Sequence, residues 1–72
     1  MNENELEFAI FCIESIAEHL NMNGADIYDL LTQNNGVLDN YIVPFYDVLH
    51  TQGKEYIVND ILEYMGKEGL FK

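Results

Sequence analysis

Arginine and tryptophan are absent from this sequence, and it has a single cysteine, Cys12. One cysteine excludes an intrachain disulfide, and a chain of 72 residues buries only about 60% of its unfolded surface. Packing alone must therefore hold the fold. The longest apolar run, Phe8–Ile13, is too short for a membrane span of about 20 residues, and the acidic N-terminus lacks the basic start of a secretory signal. We expect one domain, residues 1–72, in the cytoplasm, with a reduced thiol and no membrane contact.

Positive charge is scarce and unevenly distributed. The chain carries thirteen acidic residues and three lysines, and residues 1–50 contain nine of the acids with no lysine or arginine. Such a surface repels phosphate backbones, which excludes direct nucleic-acid binding as a function. It attracts a basic protein partner and accelerates the encounter. The alternative interpretation is that the acidic residues only keep the protein soluble.

A spacing of three and four residues places Leu6, Ala9, Ile13, Ile16, Ala17 and Leu20 on one helical face. This pattern predicts a helix over Asn4–Leu20 with that face buried. At 100° per residue its apolar side is a broad arc, and so wide an arc implies contact with more than one helix. The arc comprises Ala9, Ile10, Cys12, Ile13, Ile16, Ala17 and Leu20. The opposite side is a narrow acidic strip of Glu7, Glu14 and Glu18, with Phe11 inside it and Phe8 at its edge.

Shorter helices follow, separated by Asn, Gly and Pro residues. They are expected at Ala25–Gln33, at Val37–Ile42 and at Lys54–Met65. Between the last two, a further short helix is expected to start with Pro44 in its first turn, and we call it the restarted piece. A single kinked helix from Val37 to His50 is the alternative around Pro44. We expect Leu49, with Phe45 and Val48, to form the apolar face of the restarted piece, Thr51 to cap the last helix and Gly66 to end it. The predicted fold is an all-α bundle of four to five short helices packed around the N-terminal helix.

Residues that could perform chemistry are few. Cys12 lies on the apolar arc, where a free cysteine behaves as a small hydrophobe. His19 and His50 are the only histidines, and with Cys12 they are too few and too widely spaced for a zinc site. No glycine-rich phosphate loop is present. We therefore expect no catalytic, cofactor-binding or metal-binding residues, and a binding protein in preference to an enzyme.

Two places are candidate partner-binding surfaces. The segment Tyr46–Tyr56 is dense in hydrogen-bonding side chains, so it is either an ordinary corner between two helices or a recognition corner. Phe11 is either covered by a segment such as Leu70-Phe71, or exposed together with Phe8 as an anchor for a basic partner or a homodimer. The candidate residues are Phe8, Phe11, Glu7, Glu14, Glu18, Tyr46, His50, Gln52 and Tyr56.

The same corner carries a family resemblance. The run Tyr46–Tyr56, with Asp60-Ile61 and Tyr64 after it, resembles the small bacterial family known as domain of unknown function 3791. Leu49–Gly53 is the most specific piece, and the segments Phe8–Glu14 and Tyr28–Leu30 are similar too, whereas Pro44 departs from the commoner pattern. The resemblance implies no activity and no catalytic residues. It suggests that members of the family are similar to proteins encoded in one operon with small ADP-ribosyltransferase-like proteins. Such an association implies an antitoxin-like or accessory role.

The leading hypothesis is a small acidic interaction module that binds a basic protein. Within binding, the alternative is a nucleic-acid mimic whose carboxylates occupy a phosphate-binding surface, and competition with DNA would distinguish it. The alternative from another class of function is a small enzyme or cofactor binder. A deep cleft that holds His50 together with a carboxylate would favour it. We rank the enzyme last.

Overall fold

The computed structural model describes residues 2–33 and 36–67 of the chain. Within these residues there are five helical segments and no strand, which confirms the predicted all-α fold class. The segments are α1 (Glu3–Leu20), α2 (Gly24–Thr32), a π-helical turn (Leu38–Ile42), α3 (Tyr46–Leu49) and α4 (Lys54–Lys67).

Local capping determines both ends of α1. The Glu5 amide donates to the Asn2 side chain at 2.7 Å, and the Asn2 amide donates to the Glu5 carboxylate at 3.0 Å. This reciprocal pair satisfies amides that the first turn leaves without helical partners. At the other end, Asn21 adopts a left-handed conformation with φ 57°, which terminates the helix. The predicted helix is correct within one residue at its start.

The core lies where α1 packs against α2 and α4. Cys12 and Ile16 on α1 are fully buried, and the other helical segments contribute further fully or nearly fully buried side chains. These are Ile27 and Leu31 on α2, Leu38 and Ile42 in the π-helical turn, Leu49 on α3, and Ile57, Val58, Ile61 and Met65 on α4.

The buried sector of α1 is narrower than the predicted arc. Leu6 is 51% exposed and Ile10 is 46% exposed, so their expected burial is wrong. On a regular helix Ile10 lies roughly 120° around the axis from Ile16. The neighbouring helices cover the side that carries Cys12 and Ile16 and leave the side of Ile10 uncovered.

The chain around Pro44 forms two helical segments. The Val43 amide donates to the Leu38 carbonyl at 3.0 Å, the five-residue spacing of a π turn. Pro44 has no amide hydrogen to continue the helix, and α3 begins only at Tyr46, so Pro44 precedes that helix and is not in its first turn. The predicted apolar face is also wrong in part: Leu49 is buried, but Phe45 and Val48 are exposed.

Two predicted boundaries of the last helix need correction. The Thr51 hydroxyl donates to the Val48 carbonyl at 2.8 Å, so it closes the end of α3, and α4 begins at Lys54 after Gly53. At the other end Gly66 lies within α4, which runs to Lys67. A glycine costs about 1 kcal/mol in a helix. Burial of the preceding Met65 in the core offsets part of this cost.

An aromatic cluster connects the π-helical turn to α4. The Tyr41 hydroxyl donates a hydrogen bond to the Asp60 carboxylate, and the Tyr41 ring stacks on Tyr64 with centroids 4.1 Å apart. Burial raises the pKa of Tyr41, and the hydrogen bond and charge of Asp60 raise it further. These contacts hold the turn against the middle and the C-terminal half of α4.

Truncation in the α1 core should be strongly destabilising. Ile16 is fully buried, so Ile16→Ala should lower the free energy of unfolding by about 2–5 kcal/mol, through lost burial and a residual cavity. Ile10→Ala deletes the same atoms at a position that is 46% exposed, and it should cost less than half as much. Chemical denaturation measures both. Equal losses would contradict the assignment of the buried face.

Burial of Cys12 should make stability depend on alkaline pH. Desolvation raises the pKa of the Cys12 thiol from 9.0 to about 12, so the folded protein keeps the thiol protonated while the unfolded chain ionises. The stability contribution is complete below pH 9 and is lost as the pH rises toward 12. Between pH 8 and 10 the free energy of unfolding should fall for the wild type and less for Cys12→Ala. Parallel profiles would contradict this prediction.

Candidate protein-interaction site

The exposed side of α1 carries the acidic strip. The side chains of Glu7, Glu14 and Glu18 are all exposed, as the helical spacing predicts. Phe11 lies among them and is 39% exposed. An aromatic ring thus reaches solvent in a strip that otherwise presents carboxylates, an arrangement that suits an apolar anchor with a polar rim.

The two phenylalanines near this strip have different roles. Phe8 is 8% exposed, so the expectation that it is exposed beside Phe11 as an anchor is wrong. Phe8 is buried because its ring packs edge-on against Tyr46 of α3, with centroids 5.4 Å apart. The Phe11 ring stacks on Phe8 at 6.3 Å, so Phe8 supports Phe11 from below. The expected cover, Leu70-Phe71, lies outside the described residues.

Aromatic contacts join the acidic strip to the corner between α3 and α4. Tyr46 contacts Phe8 on one side, and on the other it stacks on His50 with centroids 4.3 Å apart. The four rings of Phe11, Phe8, Tyr46 and His50 therefore form a continuous row. The structure brings together four candidate residues that are up to 42 positions apart in the sequence.

An ion pair also joins α1 to α4. The Lys54 ammonium lies 2.6 Å from the Glu18 carboxylate and donates to it. This hydrogen bond, followed by the positive charge of Lys54, lowers the pKa of Glu18. Both side chains are largely exposed, so the pair contributes little to stability.

Surface concavities lie on both sides of this ion pair. One, of about 240 Å³, is lined by Phe11, Glu14, Ser15, Glu18 and Lys54. Another, of about 190 Å³, is lined by Ser15, Glu18, His19, Lys54, Glu55 and Val58. We call the two together the α1–α4 groove. It presents three carboxylates, the Ser15 hydroxyl, the Phe11 ring, the His19 imidazole and the Lys54 ammonium.

The other candidate residues lie apart from this groove. Gln52 is exposed, and its amide donates only a long 3.4 Å hydrogen bond to the Thr51 hydroxyl. Tyr56 is 55% exposed and lines a different concavity, of about 280 Å³, with Asn59, Asp60 and Glu63. Glu7 is exposed on the strip but does not line the groove.

Sequence reasoning missed five residues that line the groove, namely Ser15, His19, Lys54, Glu55 and Val58. Lys54 is predicted only as the first residue of the last helix, because nothing in the sequence indicates a contact with a residue 36 positions earlier. Ser15 is the one buried polar residue among those described, and it lines the groove together with Phe11 and Glu18. The signal available was its position four residues after Phe11, on the same side of α1.

Groups suited to catalysis or metal binding are scarce in the described part of the chain. No cluster of three His, Cys, Asp or Glu side chains there could hold a metal ion. The raised pKa of Cys12, about 12, keeps its thiol protonated near neutral pH and unsuited to nucleophilic attack. No helix in residues 2–33 and 36–67 has the length and apolar character required to cross a membrane.

Comparison with known proteins gives one result that covers most of the chain. No curated protein and no solved structure matches it. The model of a family described as "Protein of unknown function (DUF3791)" matches residues 7–68, which include most of α1, the corner between α3 and α4, and all of α4. The chain therefore belongs to the DUF3791 family.

Proposed function

We propose that this protein is an interaction module that binds a basic partner protein through the acidic strip of α1. The partner would be a cytoplasmic protein that the module neutralises or assists, in an antitoxin-like or accessory role. The resemblance to operon partners of ADP-ribosyltransferase-like proteins supports the role, and the charge pattern supports the chemistry of the partner.

The observation that carries the proposal is the combination of charge and exposure on α1. Residues 1–50 contain nine acids with no lysine or arginine, and three of those acids flank the half-exposed Phe11. Carboxylates around an aromatic ring provide long-range attraction and short-range apolar contact together.

We also propose that the protein acts by binding and not by catalysis. The Cys12 thiol is buried with its pKa raised, so it is poorly placed for chemistry. His50 stacks on Tyr46 at the exposed corner. The two concavities of the α1–α4 groove, of about 190 and 240 Å³, are smaller than typical ligand pockets of about 300–1,000 Å³.

The charge hypothesis predicts salt-dependent association. A triple variant, Glu7→Gln with Glu14→Gln and Glu18→Gln, removes three charges from the strip. The control variant, Asp39→Asn with Asp47→Asn and Glu63→Gln, removes three exposed charges elsewhere. The partner would be captured from the native host and identified, and its association rate measured at several salt concentrations. We expect the rate for the wild type to fall about tenfold or more at high salt, and the strip variant to associate slowly even at low salt.

Several outcomes would contradict this hypothesis. An association rate that does not change with salt would remove the electrostatic argument. Equal effects of the two triple variants would show that net charge matters and the strip does not. Competition between DNA and this protein for the captured partner would favour the nucleic-acid mimic, and concentration-dependent self-association without a partner would favour a homodimer.

Phe11 should contribute to binding more than to folding. Because it is 39% exposed, Phe11→Ala should lower stability by less than the 3–5 kcal/mol typical of buried aromatics, while weakening partner binding by about 2 kcal/mol or more. Tyr28→Ala removes another half-exposed aromatic, on α2, and should leave binding unchanged. Calorimetric titration with the captured partner, together with denaturation, measures both quantities. Unchanged binding by Phe11→Ala would exclude it as an anchor.

A further inference from the structure

We propose that the α1–α4 groove is a receptor for one arginine side chain of the basic partner, and that Lys54 occupies its main carboxylate until the partner arrives. This inference rests on the proposed function, since it specifies where and how the basic partner is recognised. It follows from four features of the groove: an unpartnered hydroxyl, a pair of carboxylates, an aromatic face and an exchangeable internal cation.

The unpartnered hydroxyl belongs to Ser15. The residue is 4% exposed, and within residues 2–33 and 36–67 its hydroxyl makes no hydrogen bond. No fully inaccessible polar side-chain atom in the described chain lacks a partner, so the hydroxyl must reach solvent. Ser15 lines both halves of the groove, which is therefore where its hydroxyl opens. A buried serine that faces a cavity without a partner is well placed to accept an N–H from a bound ligand.

The carboxylates favour a cation with several donors. Glu14 and Glu18 lie one helical turn apart, and both line the same half of the groove as Ser15. A lysine ammonium is a point charge, whereas a guanidinium presents five donors in a planar fork. The fork can bond a carboxylate with two parallel hydrogen bonds and still have donors for a hydroxyl. The arrangement of acceptors around Ser15 therefore suits arginine better than lysine.

Phe11 supplies an aromatic face in the same half of the groove. Guanidinium groups stack on aromatic rings, and such cation–π contacts add to the carboxylate interaction. The Phe11 ring is held in place by stacking on Phe8, which is itself packed against Tyr46. The face is thus positioned before any ligand binds, which limits the entropy lost on binding.

Lys54 is the internal cation that the ligand must replace. Its ammonium bonds Glu18 at 2.6 Å, yet its side chain is 54% exposed and that of Glu18 is 73% exposed. Exposed ion pairs are weak, so exchange of Lys54 for a partner arginine costs little. The chain contains no arginine of its own, so no internal guanidinium competes for the groove.

The test uses the full-length protein and a capped peptide, acetyl-Gly-Arg-Gly-amide, titrated by NMR. We expect chemical-shift changes that are concentrated at Phe11, Ser15, Glu18 and Lys54. The lysine peptide should bind more weakly, and the citrulline peptide, which keeps the shape without the charge, should not bind. Free L-arginine should bind no more tightly than the capped peptide, because its added α-ammonium and α-carboxylate have opposite charges whose effects on attraction to the strip largely cancel.

Variants identify the groups responsible. Glu18→Gln should weaken the arginine peptide about tenfold or more, as expected for loss of a charged hydrogen-bond acceptor. Glu63→Gln makes the same charge change on α4 and should have little effect. Lys54→Gln should tighten binding about two- to fivefold by freeing Glu18. Lys67→Gln, near the other end of α4, is its charge-matched control and should not tighten binding to that extent.

The failures are distinguishable. Shift changes spread over all acidic residues, equal affinity for the arginine and lysine peptides, or equal effects of Lys54→Gln and Lys67→Gln would overturn the arginine receptor and leave the proposed function intact. Tighter binding of free L-arginine than of the peptide would overturn it in favour of a small-molecule site. Localised arginine binding in a protein that captures no basic partner would instead contradict the proposed function.

Discussion

The structure depends on burial of one side of α1 between α2 and α4. Cys12 and Ile16 lie at the centre of that side, and neither is accessible to solvent. A domain of this size has no disulfide to restrict its unfolded state, so this contact must supply much of the free energy of folding. The side of α1 that faces away from these contacts is exposed to solvent, and it carries the acidic strip.

The packing of the core also determines the geometry of the proposed interaction site. Phe8 closes the core against Tyr46, and the same ring supports Phe11 at the surface. Tyr46 in turn stacks on His50, so the corner between α3 and α4 is positioned by contacts that begin in α1. Phe8, which contributes to stability, and Phe11, which is suited to recognition, are therefore neighbours in one row of aromatic rings. A substitution at Phe8 would change stability and binding together, whereas a substitution at Phe11 is expected to change mainly binding.

Local signals in the sequence predicted the helices well. Apolar spacing placed α1 within one residue, and the contacts that end this helix are local too: Asn2 pairs with Glu5 at its start, and Asn21 is left-handed at its end. Predictions at the corner were less accurate. Thr51 has the chemistry of a cap, but its hydroxyl bonds back to Val48, and the choice between these partners depends on how α3 and α4 meet. Likewise Pro44 predicted an interruption, but not the π turn before it.

The sequence by itself determined the all-α class, the extent of α1 and the concentration of acidic charge in residues 1–50, because helical periodicity, capping and composition are local or additive properties. Only the tertiary structure decided that Phe8 is buried while Leu6 and Ile10 are exposed, since helical spacing shows which side is apolar but not which neighbours cover it. It also decided that Lys54 pairs with Glu18 and that Ser15 faces a groove. These contacts join residues up to 43 positions apart, and a long-range contact depends on the packing of whole helices.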